Sequence, residues 1–317
     1  MMEFLVSESN DPCFNLSLEE ILLKTYSEEF LILSVNSPSV IIGKHQVPYR
    51  EINPAFVVLN GIPVLRRISG GGTVFHDYGN LNFSFILNSE QGKQVDFRRY
   101  TAPVIDFLHQ AGINAVLEGR NDLKVNGLKI SGNAEHVHKN RVLHHGTLLF
   151  NSSLDSLGEA LKSNPGRYNT IGVKSNPSPV ININQITDNF DSIDDFRDEL
   201  LLFMMKKYSG TSLFLLPEDT RDSITASMQS KYSSWEWNYG YGPAYEFSNN
   251  LTIREREFNC EFSVSGGIIK RAFIGGDSGL KILFTRLEGC RHSFIEMKNV
   301  LNEENELFSD NDIFNLL

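Results

Sequence analysis

An Asn-Gly dipeptide at 126–127 sits between two runs that alternate apolar and polar residues, and it leaves that part of the chain few options. Asn-Gly accepts positive φ at both central positions, the requirement of a two-residue hairpin turn whose twist matches its strands. Folding there predicts Val125 opposite Leu128, Lys124 opposite Lys129, Leu123 opposite Ile130 and Asp122 opposite Ser131. Leu123, Val125, Leu128 and Ile130 then share an apolar face, and Asp122, Lys124, Lys129 and Ser131 share the other. Two lysines directly opposed repel unless solvent screens them or an anion lies between. The polar face is therefore either solvated or part of a ligand site.

The rest of the chain is ordinary globular material. Of 317 residues 41% are hydrophobic and 21% charged, too apolar for disorder. The net charge of -10 and pI near 5.3 give no basic field for a nucleic-acid backbone or an anionic membrane surface, so neither partner is expected. Met1 to Pro12 has no apolar stretch suited to a signal peptide, and runs such as Leu200 to Met205 are far short of a membrane span. Cys13, Cys260 and Cys290 are odd in number and form no C-x-x-C pair. A reducing, cytoplasmic setting is expected.

Periodicity predicts an early helix starting at Asn15, and strands at Leu31–Val35, Val40–Gly43, Phe56–Leu59 and Val64–Ile68. Helices are predicted from Arg98 to Gln110, stopped by Ala111-Gly112, and from Asp194 to Tyr208, with acids at its start and Lys206 and Lys207 at its end. From Asn249-Asn250 the texture changes to short strands (Leu251–Phe258, Glu261–Val264, Ile268–Ile274) followed by helix. This predicts a large domain over 1–248 and a small α+β domain over 249–317. The order is not a regular βαβ alternation, so the expected class is α+β with a mixed or antiparallel sheet.

Arg66-Arg67-Ile68-Ser69-Gly70-Gly71-Gly72-Thr73-Val74-Phe75-His76-Asp77 places three glycines between strand-like runs. Without Cβ atoms the backbone can approach a ligand and offer N–H groups to an anion, and arginine donates bidentately to phosphate. No G-K-[ST] or G-x-G-x-x-G pattern opens a helix here, so this is neither a Walker loop nor a dinucleotide fingerprint. A flexible hairpin with solvated arginines is the competing reading. His136 and His138 alternate on one face of a predicted strand, while His144 and His145 face opposite ways; without H-E-x-x-H, polar strand residues or pocket walls are expected rather than a metal site. If extended, Ser233 to Gly240 would put Trp235, Trp237 and Tyr239 on one side as a core anchor.

Taken together, Arg66 to Asp77, Gly79-Asn80-Leu81-Asn82, Gly119-Arg120-Asn121-Asp122, Lys129-Ile130-Ser131-Gly132, His144 to Leu149 and Ser233 to Asn238 resemble the lipoate–protein ligase A family, within the biotin and lipoate ligases. Asp11 to Leu16 and Val40 to Gly43 agree, so the likeness spans the whole chain. It implies a mixed-sheet catalytic domain with a small accessory domain, and a monomer. The implied reaction is ATP-dependent: lipoate and ATP give lipoyl-adenylate and pyrophosphate, with Mg2+, and the lipoyl group then passes to a lysine of an acceptor. Implied acceptors are the lipoyl domains of 2-oxoacid dehydrogenase complexes and the glycine cleavage H protein.

By the same resemblance Lys129 is the catalytic ammonium. Arg67 and the amides of Gly70, Gly71, Gly72, Thr73 and Val74 hold carboxyl and phosphate groups, with Phe75, His76 and Asp122 also at the adenylate. The lipoyl group is expected at Arg67, Ser69, Gly71, His145 and Gly146. Asp122 orients Lys129 or holds the metal. No cysteine lies between Asn15 and Asn259, which disfavours a lipoyl- or octanoyl-transferase working through an acyl-thioester. A transferase that needs pre-made lipoyl-adenylate and a lipoate-binding protein remain as the other readings.

Overall fold

The computed structural model describes residues 2–90, 95–210, 212–253, 255–276, 278–303 and 307–317. The class is α+β, as expected. A seven-stranded mixed sheet forms the spine of the large part, in the order Met2–Val6, Glu29–Val35, Asn80–Asn88, Arg141–Leu149, Leu128–His138, Asp122–Val125, Val116–Glu118. Its first pair is parallel and the others antiparallel. A three-stranded sheet, Val64–Arg66, Ser39–Ile42, Val74–His76, carries the glycine loop between its outer strands.

Local chemistry explains where the helices fall. The first spans Pro12–Thr25, three residues earlier than expected: Asp11 caps it by accepting from the Cys13 amide, and Pro12 takes the first turn, where its missing N–H costs nothing. Asn15 is no cap. Its side chain donates to Asn36 Oδ1 and Ser9 O inside the fold. The helices Phe97–Gln110 and Ile193–Lys207 fall where predicted, capped by Asp96 and Ser192.

Two expected strands are corrected. Phe56–Leu59 belongs to the helix Pro54–Leu59, because Pro54 again suits a first turn and Asn53 Oδ1 accepts from the Phe56 amide. Trp235 to Tyr239 is helical, with a turn at Glu236–Gly240, so Trp235 and Tyr239 stack at 4.2 Å across one turn while Trp237 points elsewhere, donating to Arg66 O.

The hairpin forms at Asn126 and Gly127, with φ of 51° and 80°. Val125 faces Leu128 and Lys124 faces Lys129, but a bulge then shifts the register, so Leu123 faces Ser131 and Asp122 faces Gly132. Leu123, Val125 and Ile130 are buried as predicted. Lysine repulsion is relieved by two carboxylates: Lys124 bonds Glu118, and Lys129 bonds Asp122 at 2.8 Å.

The carboxy-terminal part adds a four-stranded sheet: Tyr168–Asn169, Tyr245–Ile253, Arg256–Ser265, Ile268–Ile274. The run Leu251–Phe258, expected as one strand, is two strands meeting in a turn at Glu255, φ 64°; Arg254 lies outside the described residues. Asn249 and Asn250 sit within the strand Tyr245–Ile253, opposite Cys260 and Asn259. Apolar packing is also continuous here. Phe247, Phe262 and Ile274 share one buried cluster with Val40, Val47, Tyr49 and Phe75 of the larger part. Among the described residues no helix is long and apolar enough to cross a membrane.

Candidate active site

Arg67 is buried and spends its donors on its own loop. Nε donates to Ser69 Oγ, Nη1 to Ile41 O, and Nη2 to Gly70 O and Gly72 O at 2.6 and 2.7 Å. These bonds curl Ser69–Gly72 around the guanidinium, and Gly71 supplies a φ of 88° that the curl requires. Gly43 completes the arrangement, since a Cβ there would fall onto Gly71 O. Arg66 is more deeply built in. Its guanidinium donates to the carbonyls of Gly43, Lys44, Gln46, Trp237 and Asn238, and its amide donates to Asn238 Oδ1. Burial pulls both guanidinium groups down to about 10, so they keep their charge at neutral pH.

The curled loop and the hairpin face with Asp122 and Lys129 line one cavity of about 670 Å3. Gly70 to Val74, Arg67, His76, His145 and Gly146 also line it, so most of the residues expected around a nucleotide and an acyl chain converge there. Phe75 does not: it points into the apolar core beside Val40. Ser69 is fully buried behind the wall and reaches the site through His145 Nε2, 2.6 Å away. Cys13, Cys260 and Cys290 do not line the cavity, and burial raises the Cys13 thiol to about 11 and the Cys260 thiol to about 12.

The histidines divide as their alternation suggested. His144 points away from the cavity, bonded to Glu135 and packed against Phe83, Phe97 and Tyr100. His145 faces in. His76 is held down to about 3, first by burial and then by the charge of Arg67, so it is a neutral group. Its Nδ1 is bonded to Asn36 Nδ2, an amide donor, which puts the ring proton on a buried Nε2 that has no protein partner. Among the described residues no three His, Cys, Asp or Glu side chains cluster as a metal site.

Two parts of the site escaped the sequence. Glu19 lines the cavity and accepts from His145 Nδ1. The signal was present: Asn15 and Glu19, four apart, are polar on a face otherwise filled by Leu16, Leu22 and Leu23. The loop Val173–Asn176 closes the cavity above the glycines. Ser175 Oγ accepts from the Thr73 amide and from Gln46 Nε2, while Gln46 Oε1 accepts from the Gly43 amide and Thr73 Oγ1. Nothing in Val-Lys-Ser-Asn as a string marks such a latch.

A mixed sheet flanked by helices, with a glycine-lined cavity facing a lysine, is the architecture of the biotin and lipoyl ligase class of enzymes. The lipoyl protein ligase A/B catalytic domain matches residues 11–204, and the chain belongs to that family. It is 37% identical to lipoate–protein ligase 1 of Staphylococcus aureus over 95% of this chain and 94% of the relative, and 40% identical to a lipoate–protein ligase of Bacillus subtilis over 84% and 82%. A Plasmodium falciparum protein solved with lipoate superposes with a TM-score of 0.65 at 25% identity, over 99% of this chain and 97% of that one. A lipoate–protein ligase A solved with ATP gives 0.64 at 26%, and a bipartite Thermoplasma acidophilum ligase studied with its E2 lipoyl domain gives 0.65 at 26%. Each of these two covers 98% or so of its own length but only about three quarters of this chain: 75% for the first and 76% for the second.

Proposed function

We propose that this enzyme activates lipoate with ATP to lipoyl-adenylate, releasing pyrophosphate, and passes the lipoyl group to a lysine of a lipoyl domain or of the glycine cleavage H protein. The observation that carries the reading is Lys129, which lines the same cavity as the glycine loop and is held by Asp122 at 2.8 Å. Activation gathers negative charge at the α-phosphate, and transfer returns it to the leaving phosphate oxygen. A fixed ammonium where water is scarce lowers both barriers. Relatives solved with lipoate and with ATP, and one studied with its E2 lipoyl domain, support each ligand separately.

In this reading the amides of Gly70, Gly71, Gly72 and Val74 receive phosphate and carbonyl oxygens, with Thr73 and His76 lining the site beside them. Arg67 shapes the loop and adds its charge, and His145 and Gly146 border the acyl group, with Ser69 behind them. Phe75 supports the loop from the core. A magnesium ion carried by the triphosphate needs only one or two protein carboxylates, and Asp122, with Glu118 beside it on the wall, suits that need. The ion would neutralise phosphate charge; Lys129 and the loop amides orient the reacting groups. The positions and high pKa values of the cysteines oppose an acyl-thioester route. Three free cysteines accord with a reducing cytoplasm, where the enzyme would salvage free lipoate as a monomer.

The test is pyrophosphate release from ATP plus lipoate, followed by mass measurement of an added lipoyl domain. Both should occur with the purified chain. Acceptor modification only from supplied lipoyl-adenylate would make the protein a transferase, and neither reaction would leave a binding protein.

A further inference from the structure

Helix Pro12–Thr25, the strand Arg141–Leu149 and the glycine loop meet at three side chains: Glu19, His145 and Ser69. Both Glu19 carboxyl oxygens lie 3.0 to 3.1 Å from His145 Nδ1, and His145 Nε2 lies 2.6 Å from Ser69 Oγ. A carboxylate only accepts, so Nδ1 carries the proton and Nε2 presents its lone pair. Ser84 Oγ donates to Glu19 Oε1, fixing the carboxylate from the far side. Nucleophile, base and orienting acid are thus spaced as in a hydrolytic triad. The serine, however, is fully buried and receives Arg67 Nε on its oxygen, which withdraws the electron pair a nucleophile needs. His145 itself borders the cavity.

Resting on the ligase reading above, we propose that His145 is the general base of the transfer step and Glu19 its positioning residue. The neutral amine of the acceptor lysine attacks the acyl carbon of the adenylate, and a C–N bond forms. The C–O bond to the phosphate breaks, and its electron pair leaves on AMP. The surplus proton on nitrogen passes to His145 Nε2, whose bond to Ser69 is exchanged for one to the amine, and Glu19 stabilises the resulting imidazolium. Activation displaces pyrophosphate with an already ionised carboxylate and needs no base.

The full chain carrying His145→Gln is given lipoyl-adenylate and either a lipoyl domain or hydroxylamine, a nucleophile already mostly neutral at pH 7. Transfer to the lipoyl domain should fall about 100-fold or more in kcat with little change in KM. Hydroxamate formation and pyrophosphate release from ATP and lipoate should each fall less than about tenfold. Glu19→Gln, which keeps the shape, should reproduce the pattern more weakly, and imidazole in the buffer should partly restore transfer by His145→Gly. Equal losses with both nucleophiles, equal losses in both half-reactions, absence of rescue, or a lipoyl ester on Ser69 in the wild-type mass spectrum would overturn the base assignment. A wild-type chain that neither activates nor transfers would instead overturn the ligase reading.

Discussion

At the scale of single residues, charge and backbone freedom decide the site. Lys129 is about one-fifth exposed and is paired with Asp122, so Lys129→Ala should cost about 1 kcal/mol of stability and leave the fold intact. Its removal from the reacting centre should slow adenylate formation about a hundredfold or more. Pyrophosphate release beside a thermal melt checks both expectations, and near wild-type turnover would remove Lys129 from the chemistry. Gly71→Val should raise the KM for ATP or abolish activation, because φ is 88° and a Cβ would stand 3.0 Å from Arg67 Nη2. Circular dichroism distinguishes that from misfolding, and a folded variant with unchanged ATP dependence would refute it. The glycines and Lys129 were legible as cavity-lining residues, the glycines from their run of three and Lys129 from the family resemblance. Arg66 and Arg67 misled, since an arginine beside a glycine loop reads as a phosphate ligand. Here one clamps five carbonyls and the other curls the loop, choices set by partners up to 172 residues away.

Elements were legible where one local signal governed them. Asn126-Gly127 set the turn and its first two cross-strand pairs. The bulge that follows answers to Lys129 meeting Asp122 and to the next strand, neither of which the local string contains. Phe56–Leu59 is β-branched and aromatic enough to suggest a strand, yet the cap at Asn53 and the proline after it outweigh that preference. Trp235 to Tyr239 suffered the same way, because alternation of large rings cannot tell a strand from stacking across one helical turn. The loop Val173–Asn176 is held on the glycines by Ser175, so Ser175→Ala should free the Thr73 amide while leaving the sheets intact. Amide exchange at Thr73 should quicken, and the KM for ATP should change without loss of melting temperature. Unaltered exchange would show that Gln46 alone keeps the loop closed.

For the whole molecule, the shared apolar cluster determines what can be removed. A truncation at Asn250 cuts through the strand Tyr245–Ile253 and removes much of the apolar cluster that holds Val40, Val47, Tyr49 and Phe75, including His292 against Tyr49. Apolar surface therefore crosses the junction, and the part before Asn250 is not closed on itself. The shortened chain should melt well below the full one or precipitate, which calorimetry and sedimentation would show; a soluble, cooperatively folded fragment would contradict it. Acid should act through the same contact. His292 is buried between Tyr245 OH and Leu316 O, and burial pulls it down to about 4. An unfolded histidine titrates near 6.5. Above that pH neither state is charged and the contribution is complete; as pH falls from about 6.5 toward 4 only the unfolded chain gains a proton, and stability is lost. The melting temperature should therefore drop between pH 7 and 5, and His292→Gln should flatten the slope.

The clamp around Arg66 bears on how the protein is made. Its guanidinium finds Gly43, Lys44 and Gln46 within about twenty residues of chain, but Trp237 and Asn238 are synthesised some 170 residues later. Until they leave the ribosome, a charge destined for full burial lacks two of its five carbonyl partners, and the strand Val64–Arg66 has only part of its final setting. Contacts so distant in sequence close slowly. The glycine loop should then be among the last parts of the large domain to settle, leaving the nascent chain unable to bind a nucleotide until most of it has emerged.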